Sequence, residues 1–353
     1  MTETGNLFLG LIRFALWGEK SAVPEALDAD TVEDFLYEAK NQTVLGLMAD
    51  ALCRCGTVIP QEQAFKLFGT IAKLASKNER LNAEIAEFEK LQLPDYSIVK
   101  GQTIAALYPN PSLRMPGDVD FFVRDYSSAR QILQNQWQIQ LPERLIEKEL
   151  AFDHGCASYE IHSSLIDMGS RRHQRYWDQL MMRPFATVTI DGTPVPTLEP
   201  TLYAVYVFIH LFFHFIREGI GLRHLCDWAV LLHHYREQID ASDLEDMLKN
   251  LGFLRAYKAF GAILTDYLGL DWFPLEISEK DRSWTEKVLP DILYGGNFGN
   301  GTKKWYSSAL GTKFQTFRRT LRATCAYLPL APVELGLIIP KLLKTNIKLL
   351  VGK

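Results

Sequence analysis

Apolar residues recur at three- and four-residue intervals through most of the first ninety positions, the spacing that gathers them on one side of a helix. NLFLGLIRFALWG, DTVEDFLYEAKNQTVLGLMADALC and EQAFKLFGTIAKLASKNERLNAEIAEFEKLQ each carry this pattern, and Gly18 and Gly56 mark ends. The third segment alternates charge on its outer side, which predicts a long surface helix laid along the core. From Leu198 onward the helical period returns. Glu199-Pro200 opens a helix ending near Glu218, Arg223 to Tyr235 forms a second, and Ala241 to Leu268 holds one or two more.

The stretch between is mixed. Ser97-Ile98-Val99 reads as a short strand running into Gly101, Gln102 to Leu107 as a helix stopped by Pro109 and Pro111, and Asp118 to Val123 as a second strand. A helix from Ser127 to about Gln136 precedes a strand pair, Leu150-Ala151-Phe152 and Ala157 to Ser163, joined near Gly155. Phe185 to Ile190 and Thr193 to Pro196 flank Asp191-Gly192, a dipeptide suited to a two-residue hairpin turn. The expected class is α+β, mainly helical around a small mixed sheet. Four stretches follow: a helical region 1–90, the core 91–197, a helical region 198–300, and a tail 301–353.

Composition adds charge asymmetry to this picture. The chain has 353 residues, 47% of them apolar, enough for two or three cored domains, and a formal charge of −4. Ten Lys/Arg against Glu334 alone give the last stretch, from residue 301, about +9 and leave about −13 for the rest. The body is therefore not a nucleic-acid binder by charge. Cys53, Cys55, Cys156, Cys226 and Cys325 are scattered, with no metal spacing beyond Cys53-Arg54-Cys55, which points to a reduced, cytoplasmic setting. No secretion signal is expected, nor a transmembrane segment. The most apolar run, Leu202 to Ile216, is short for a bilayer and carries His210 and His214, four apart like some metal ligands but read as core histidines. GGNFGNG at 295–301 lacks the strand and lysine of a phosphate loop and reads as a boundary.

Candidate chemistry concentrates in KGQTIAALYPNPSLRMPGDVDFFV, residues 100–123. On a strand, Asp118 and Asp120 would share a face ~7 Å apart along the backbone. Two acids so held repel unless a cation sits between them, and a divalent metal with oxygen ligands is the usual one. Asp28 and Asp30 have the same spacing but precede a helical pattern and read as caps.

Lys100-Gly101, Leu107-Tyr108-Pro109, Arg114 and Asp118-Val119-Asp120-Phe121-Phe122-Val123 together resemble the signature of a bacterial family of uncharacterised nucleotidyltransferases, within the DNA polymerase β-type superfamily. Tyr159-Glu160-Ile161-His162 resembles that family's acid-x-His strand, and VFIHLFFHF and LRHLCDWAVLL resemble its later helices. The resemblance implies a sheet of nucleotidyltransferase type that moves an NMP from an NTP to an acceptor hydroxyl, with release of pyrophosphate. It implies two Mg2+ (or Mn2+) ions held by Asp118, Asp120 and Glu160, the last also drawing off the acceptor's proton, with Asp153 as a rival third acid. Lys100, Gly101, Gln102, Thr103 and Arg114 would meet the nucleotide. Gly101 lets backbone approach a phosphate at a helix start, and with Gln102 where the superfamily often has serine, the phosphate-touching hydroxyl is either missing or replaced by Thr103.

His162 would orient Glu160, touch substrate, or serve as its scaffold partner. Arg223 and Asp227 read as a helix-surface ion pair with an acceptor-side role left open. The acceptor, whether small molecule, protein or RNA, has no readable code. Alternatives are a non-catalytic module that retains the fold to bind a nucleotide or partner, and an RNA-modifying or toxin-like transferase. Val333 to Leu350 is amphipathic, with Leu335, Ile339, Leu342 and Leu350 opposite Lys341, Lys344 and Lys348. It suits docking on the acidic body, RNA, or peripheral membrane contact.

Overall fold

The computed structural model describes residues 3–19, 23–145, 148–297 and 309–340. The chain divides into two compact units, one formed by residues 1–40, 44–167 and 183–203, the other by 41–43, 168–182 and 204–353.

The first unit opens with helices α1 (Glu3–Trp17), α2 (Ala29–Asn41), α3 (Leu45–Arg54) and α4 (Gln61–Glu89). The segment from Asp30 to Cys53, expected as one helix, is two. Thr43 takes a left-handed φ of 54° and breaks it, while the apolar period runs on across the break. The neighbouring Gln42 belongs to the second unit, where its amide accepts from Leu222 N at 3.1 Å and donates to Leu293 O at 2.9 Å. A tie between residues so far apart leaves no mark in local periodicity. Asp28 caps α2 as expected, accepting from Thr31 N at 2.7 Å.

After α4 come β1 (Tyr96–Val99), the short helix α5 (Gly101–Ala105), β2 (Val119–Val123), α6 (Tyr126–Trp137), and the hairpin β3 (Glu149–His154) and β4 (Ala157–His162). These strands form one mixed sheet in the order β1-β2-β4-β3, with β2 and β4 parallel and the outer pairings antiparallel. β5 (Ala186–Ile190) and β6 (Thr193–Thr197) form a separate hairpin. Its Asp191-Gly192 turn has φ of 44° and 80°, the doubly left-handed turn that matches strand twist.

Alternation along β2 sorts the two faces of the sheet. Phe121 and its parallel neighbour Ile161 point to the side of α4, where Phe88 lies edge-on to Phe121 at 4.8 Å and stacks on Tyr159 at 5.6 Å. Leu67, Leu74, Leu81, Ile85 and Phe88 form the apolar stripe that α4 buries, Leu74 beside Gly46 of α3 and Phe88 on the sheet. The same helix steadies the approach to β2. Buried Asn78 donates to the carbonyls of Ser112 and Arg114, each at 3.0 Å. The opposite face is left to Asp120, Phe122, Glu160 and His162.

The second unit contains α7 (Arg171–Leu180), most of α8 (Pro200–Arg217), α9 (Leu222–His234), α10 (Ala241–Leu251), α11 (Leu254–Asp266), α12 (Glu279–Arg282), α13 (Thr285–Gly295) and α14 (Ala309–Tyr327), followed by helical backbone over 332–340. Phe208 lies 4.9 Å from both Trp228 and Tyr257 in its aromatic core. α8 is long and apolar enough to cross a membrane by length and composition, but 78% of it is buried inside the protein, as in a core helix. Residues 298–301 of the glycine-rich stretch and the tail from Lys341 lie outside the described residues.

Candidate functional site

The parallel register of β2 and β4 sets Asp120 beside Glu160 and Phe122 beside His162. Residues two apart on a strand share a face, so the two acids and the imidazole project from one side of the sheet. Asp120 Oδ1 lies 3.0 Å from His162 Nε2, which is 3.7 Å from Glu160 Oε2. Glu149, where β3 begins, approaches the other ring nitrogen of His162 at 3.4 Å. Asp118 is exposed in the residue before β2, whereas Asp120 is 3% exposed. The two aspartates are therefore unequal, one inside the sheet and one at its mouth.

Lys100 completes this cluster. It follows β1, whose last residue Val99 pairs with Asp120, and its Nζ reaches Asp120 Oδ1 at 2.8 Å. Its backbone has φ 58° and ψ −152°, a region almost reserved for glycine. Two hydroxyls hold it there. Tyr203 Oη accepts from Lys100 N at 2.7 Å, and Thr103 Oγ1 donates to Lys100 O at 2.7 Å while lying 2.6 Å from Tyr203 Oη.

That arrangement redistributes the nucleotide residues expected from sequence. Thr103 is fully buried and its hydroxyl donates to the Lys100 carbonyl within this turn. Gly101 has φ 47°, and a Cβ there would stand 3.1 Å from Asp118 O; its close approach is to the chain itself. Gln102, 3% exposed, donates to Asn82 Oδ1 at 2.5 Å, and its own Oε1 is buried without a hydrogen-bond partner. Arg114 is buried and donates to Met115 O at 3.4 Å. α5 stops at Ala105 and has too few turns for much of a helix dipole.

Charge separates the two central carboxyls. Burial pushes Asp120 up, but the Lys100 ammonium and the His162 bond outweigh it and hold the carboxyl down at about 2. Glu160 is pushed up to about 7 by burial first, then by the charges of Asp120 and Asp118. Such mutual repulsion is what a divalent cation relieves. One ligand atom each from Asp120, Glu160 and His162 lies within 4.8 Å of the others, a donor set of two hard oxygens and an imidazole that fits such an ion.

The remaining candidates have other surroundings. Asp153 pairs with Ser158 across the β3–β4 hairpin. Arg223 and Asp227 are on α9 in the second unit, where Arg223 N donates to Gln42 O at 3.2 Å and Asp227 is buried. The His210 and His214 rings lie 4.3 Å apart on α8 with their planes tilted by 52°, and His214 Nδ1 is 3.3 Å from Glu218. Sequence reasoning overlooked Tyr203 and Glu149. Tyr203 stands 103 residues from the turn it holds, and no local pattern connects them.

The model of the family described as uncharacterised nucleotidyltransferase matches residues 28–269, spanning the sheet and the first helices of the second unit. The chain belongs to this family. Among solved structures, the chain is similar to an antigenic nucleotidyltransferase-like protein from Paracoccidioides brasiliensis, at 14% identity and a TM-score of 0.30, over 56% of this chain and 92% of that one. No curated protein matches it.

Proposed function

We propose that this chain transfers a nucleoside monophosphate from an NTP to an acceptor hydroxyl, with pyrophosphate leaving, at the sheet face that carries Asp120, Glu160 and His162. The observation that carries this reading is the in-register placement of Asp120 beside Glu160, with Lys100 at their side. Asp120, Glu160 and His162 would hold a divalent ion such as Mg2+ or Mn2+, and Asp118, at the mouth, would share a second. Bound ions supply a lowered pKa at the attacking hydroxyl and charge neutralisation on the triphosphate.

Each protein group has a separate task. Asp120, fixed by Lys100 and His162, stays ionised and gives the site a rigid anionic anchor. Glu160, half-buried with its carboxyl raised to about 7, is placed to exchange a proton near neutral pH, a property suited to taking one from an acceptor hydroxyl. Before an ion binds, His162 Nε2 spans the two carboxylates and limits their rotation, a bond it would give up to ligate the ion. Lys100 offers an ammonium beside Asp120 for a phosphate oxygen. The five free cysteines support a reducing, cytoplasmic setting within the same reading.

A second reading is a fold retained for binding alone. What favours it is that Lys100 already neutralises Asp120 and that the Thr103 hydroxyl is spent on the turn. Calorimetry of each NTP with and without Mg2+, on the native chain and on Asp118→Asn/Asp120→Asn, separates the two. Magnesium-dependent binding that the double variant loses supports transfer. Binding indifferent to both aspartates, or none at all, favours the retained fold.

A further inference from the structure

Asp120 already has a cation. The Lys100 ammonium and His162 Nε2 converge on the same atom, Oδ1, at 2.8 and 3.0 Å. The pair is enclosed, with the side chains 19% and 4% exposed. A divalent ion seeking this carboxylate meets an oxygen that has two donors, one of them a full positive charge.

The backbone is set up to deliver that charge. Lys100 occupies a conformation that side chains avoid, and it stays there because Tyr203 Oη takes its N–H and Thr103 Oγ1 its carbonyl. From this pinned backbone the flexible stem carries the ammonium to Asp120. A lysine is suited to leave again, being a compact, strongly hydrated charge on four methylenes rather than a planar fork that locks both carboxylate oxygens. Asp118 and Glu160 nearby attract any ion that takes its place, and Lys100 only partly offsets the repulsion that Asp120 and Asp118 exert on Glu160.

We propose that Lys100 is the resident counter-cation of Asp120, displaced by an incoming divalent ion and released toward the polyphosphate, so that ion and nucleotide load together. This deepens the proposed function and rests on its metal site. An ion taking Oδ1 breaks the Lys100–Asp120 pair, so the lysine weakens binding of the ion alone, and a phosphate oxygen takes up the ammonium that the ion displaces.

The test is Mn2+ binding to the full chain without nucleotide, followed by the paramagnetic signal of the free ion. Lys100→Met should bind Mn2+ about tenfold more tightly than the native chain, and Lys100→Arg, which keeps a cation, should stay near native. In the native chain, acetylation of the Lys100 amine, read by mass spectrometry, should rise as Mn2+ saturates the site. Equal or weaker Mn2+ affinity in Lys100→Met overturns the displacement and leaves the metal site standing. Lys100 labelling unmoved by saturating Mn2+ overturns it even if the methionine variant does not fold. Absence of Mn2+ binding in native chain and variant alike, matching Asp120→Asn, removes the metal site and this inference together.

Discussion

Asp120 and Glu160 stand across from each other on parallel strands, yet one carboxyl is held at about 2 and the other is pushed up to about 7. Burial raises both. The difference comes from partners: Asp120 has the Lys100 ammonium and His162, while Glu160 faces the charges of Asp120 and Asp118. Neighbouring groups pushed apart in this way form a division of labour common at acid–base sites.

That separation predicts two opposite pH dependences in metal-free protein. A carboxyl depressed below its ordinary 3.8 stabilises the fold fully above that value and loses the contribution as pH falls toward about 2, which is the Asp120 case. Glu160 is raised from 4.5, so its contribution is full below 4.5 and is lost as pH rises through about 7. Urea midpoints measured in chelator from pH 4 to 8 should therefore decline more steeply for the native chain than for Glu160→Gln, which cannot ionise. Parallel curves would show that Glu160 does not carry the repulsion assigned to it.

Asp120→Asn should destabilise the metal-free chain by about 2–4 kcal/mol, because it leaves a mostly enclosed ammonium without its carboxylate. Adding Lys100→Met should recover part of that loss, since the stranded charge goes too. A double-mutant cycle by chemical denaturation reads the coupling, expected at roughly 2 kcal/mol. Strict additivity would mean the 2.8 Å pair contributes nothing.

The legible part of this site was the part written locally. β2 announced itself by its apolar run, the β3–β4 hairpin by Gly155, and the second hairpin by Asp191-Gly192. The division of α2 from α3 was not legible, because Gln42 is held by Leu222 and Leu293 while the helical period continues around it. Lys100 was read as a phosphate contact and Thr103 as a substitute hydroxyl. Their observed partners, Asp120 and Tyr203, come from a strand and a helix 20 and 100 residues away along the chain, a pairing that sheet register and packing decide. α7 went unread because RRHQRYWDQL buries only His173, Trp177 and Leu180, too few apolar positions to stand out.

Tyr203→Phe tests whether the Lys100 turn depends on its hydroxyl. The change removes the acceptor of Lys100 N and a partner of Thr103 while keeping the buried ring, so a loss of about 1–3 kcal/mol is expected. The Lys100 amide should also lose protection from hydrogen exchange, more than amides in β4. Unchanged exchange at Lys100 would show that Thr103 alone suffices to hold the strained backbone.

Glu334 carries the last prediction, in the second unit. By sequence it was only the lone acid after residue 300; in the structure it is 1% exposed and accepts from Gly169 N at 2.5 Å, Ser170 N at 3.2 Å and His173 Nδ1 at 2.6 Å. An anion beside the amino end of α7 meets unpaired N–H groups and the positive end of the helix dipole, so both oxygens are used. Glu334→Ala leaves the buried His173 donor and two part-buried amides unmet and should cost about 3–5 kcal/mol. Glu334→Gln keeps the shape but turns an N–H2 toward a donor, and should cost less, about 2 kcal/mol. Hydrogen exchange places the effect. Protection should fall first in the opening turn of α7, and a loss spread evenly over the unit would mean that Glu334 acts as general core packing rather than by holding the Gly169–Ser170 entry to this helix.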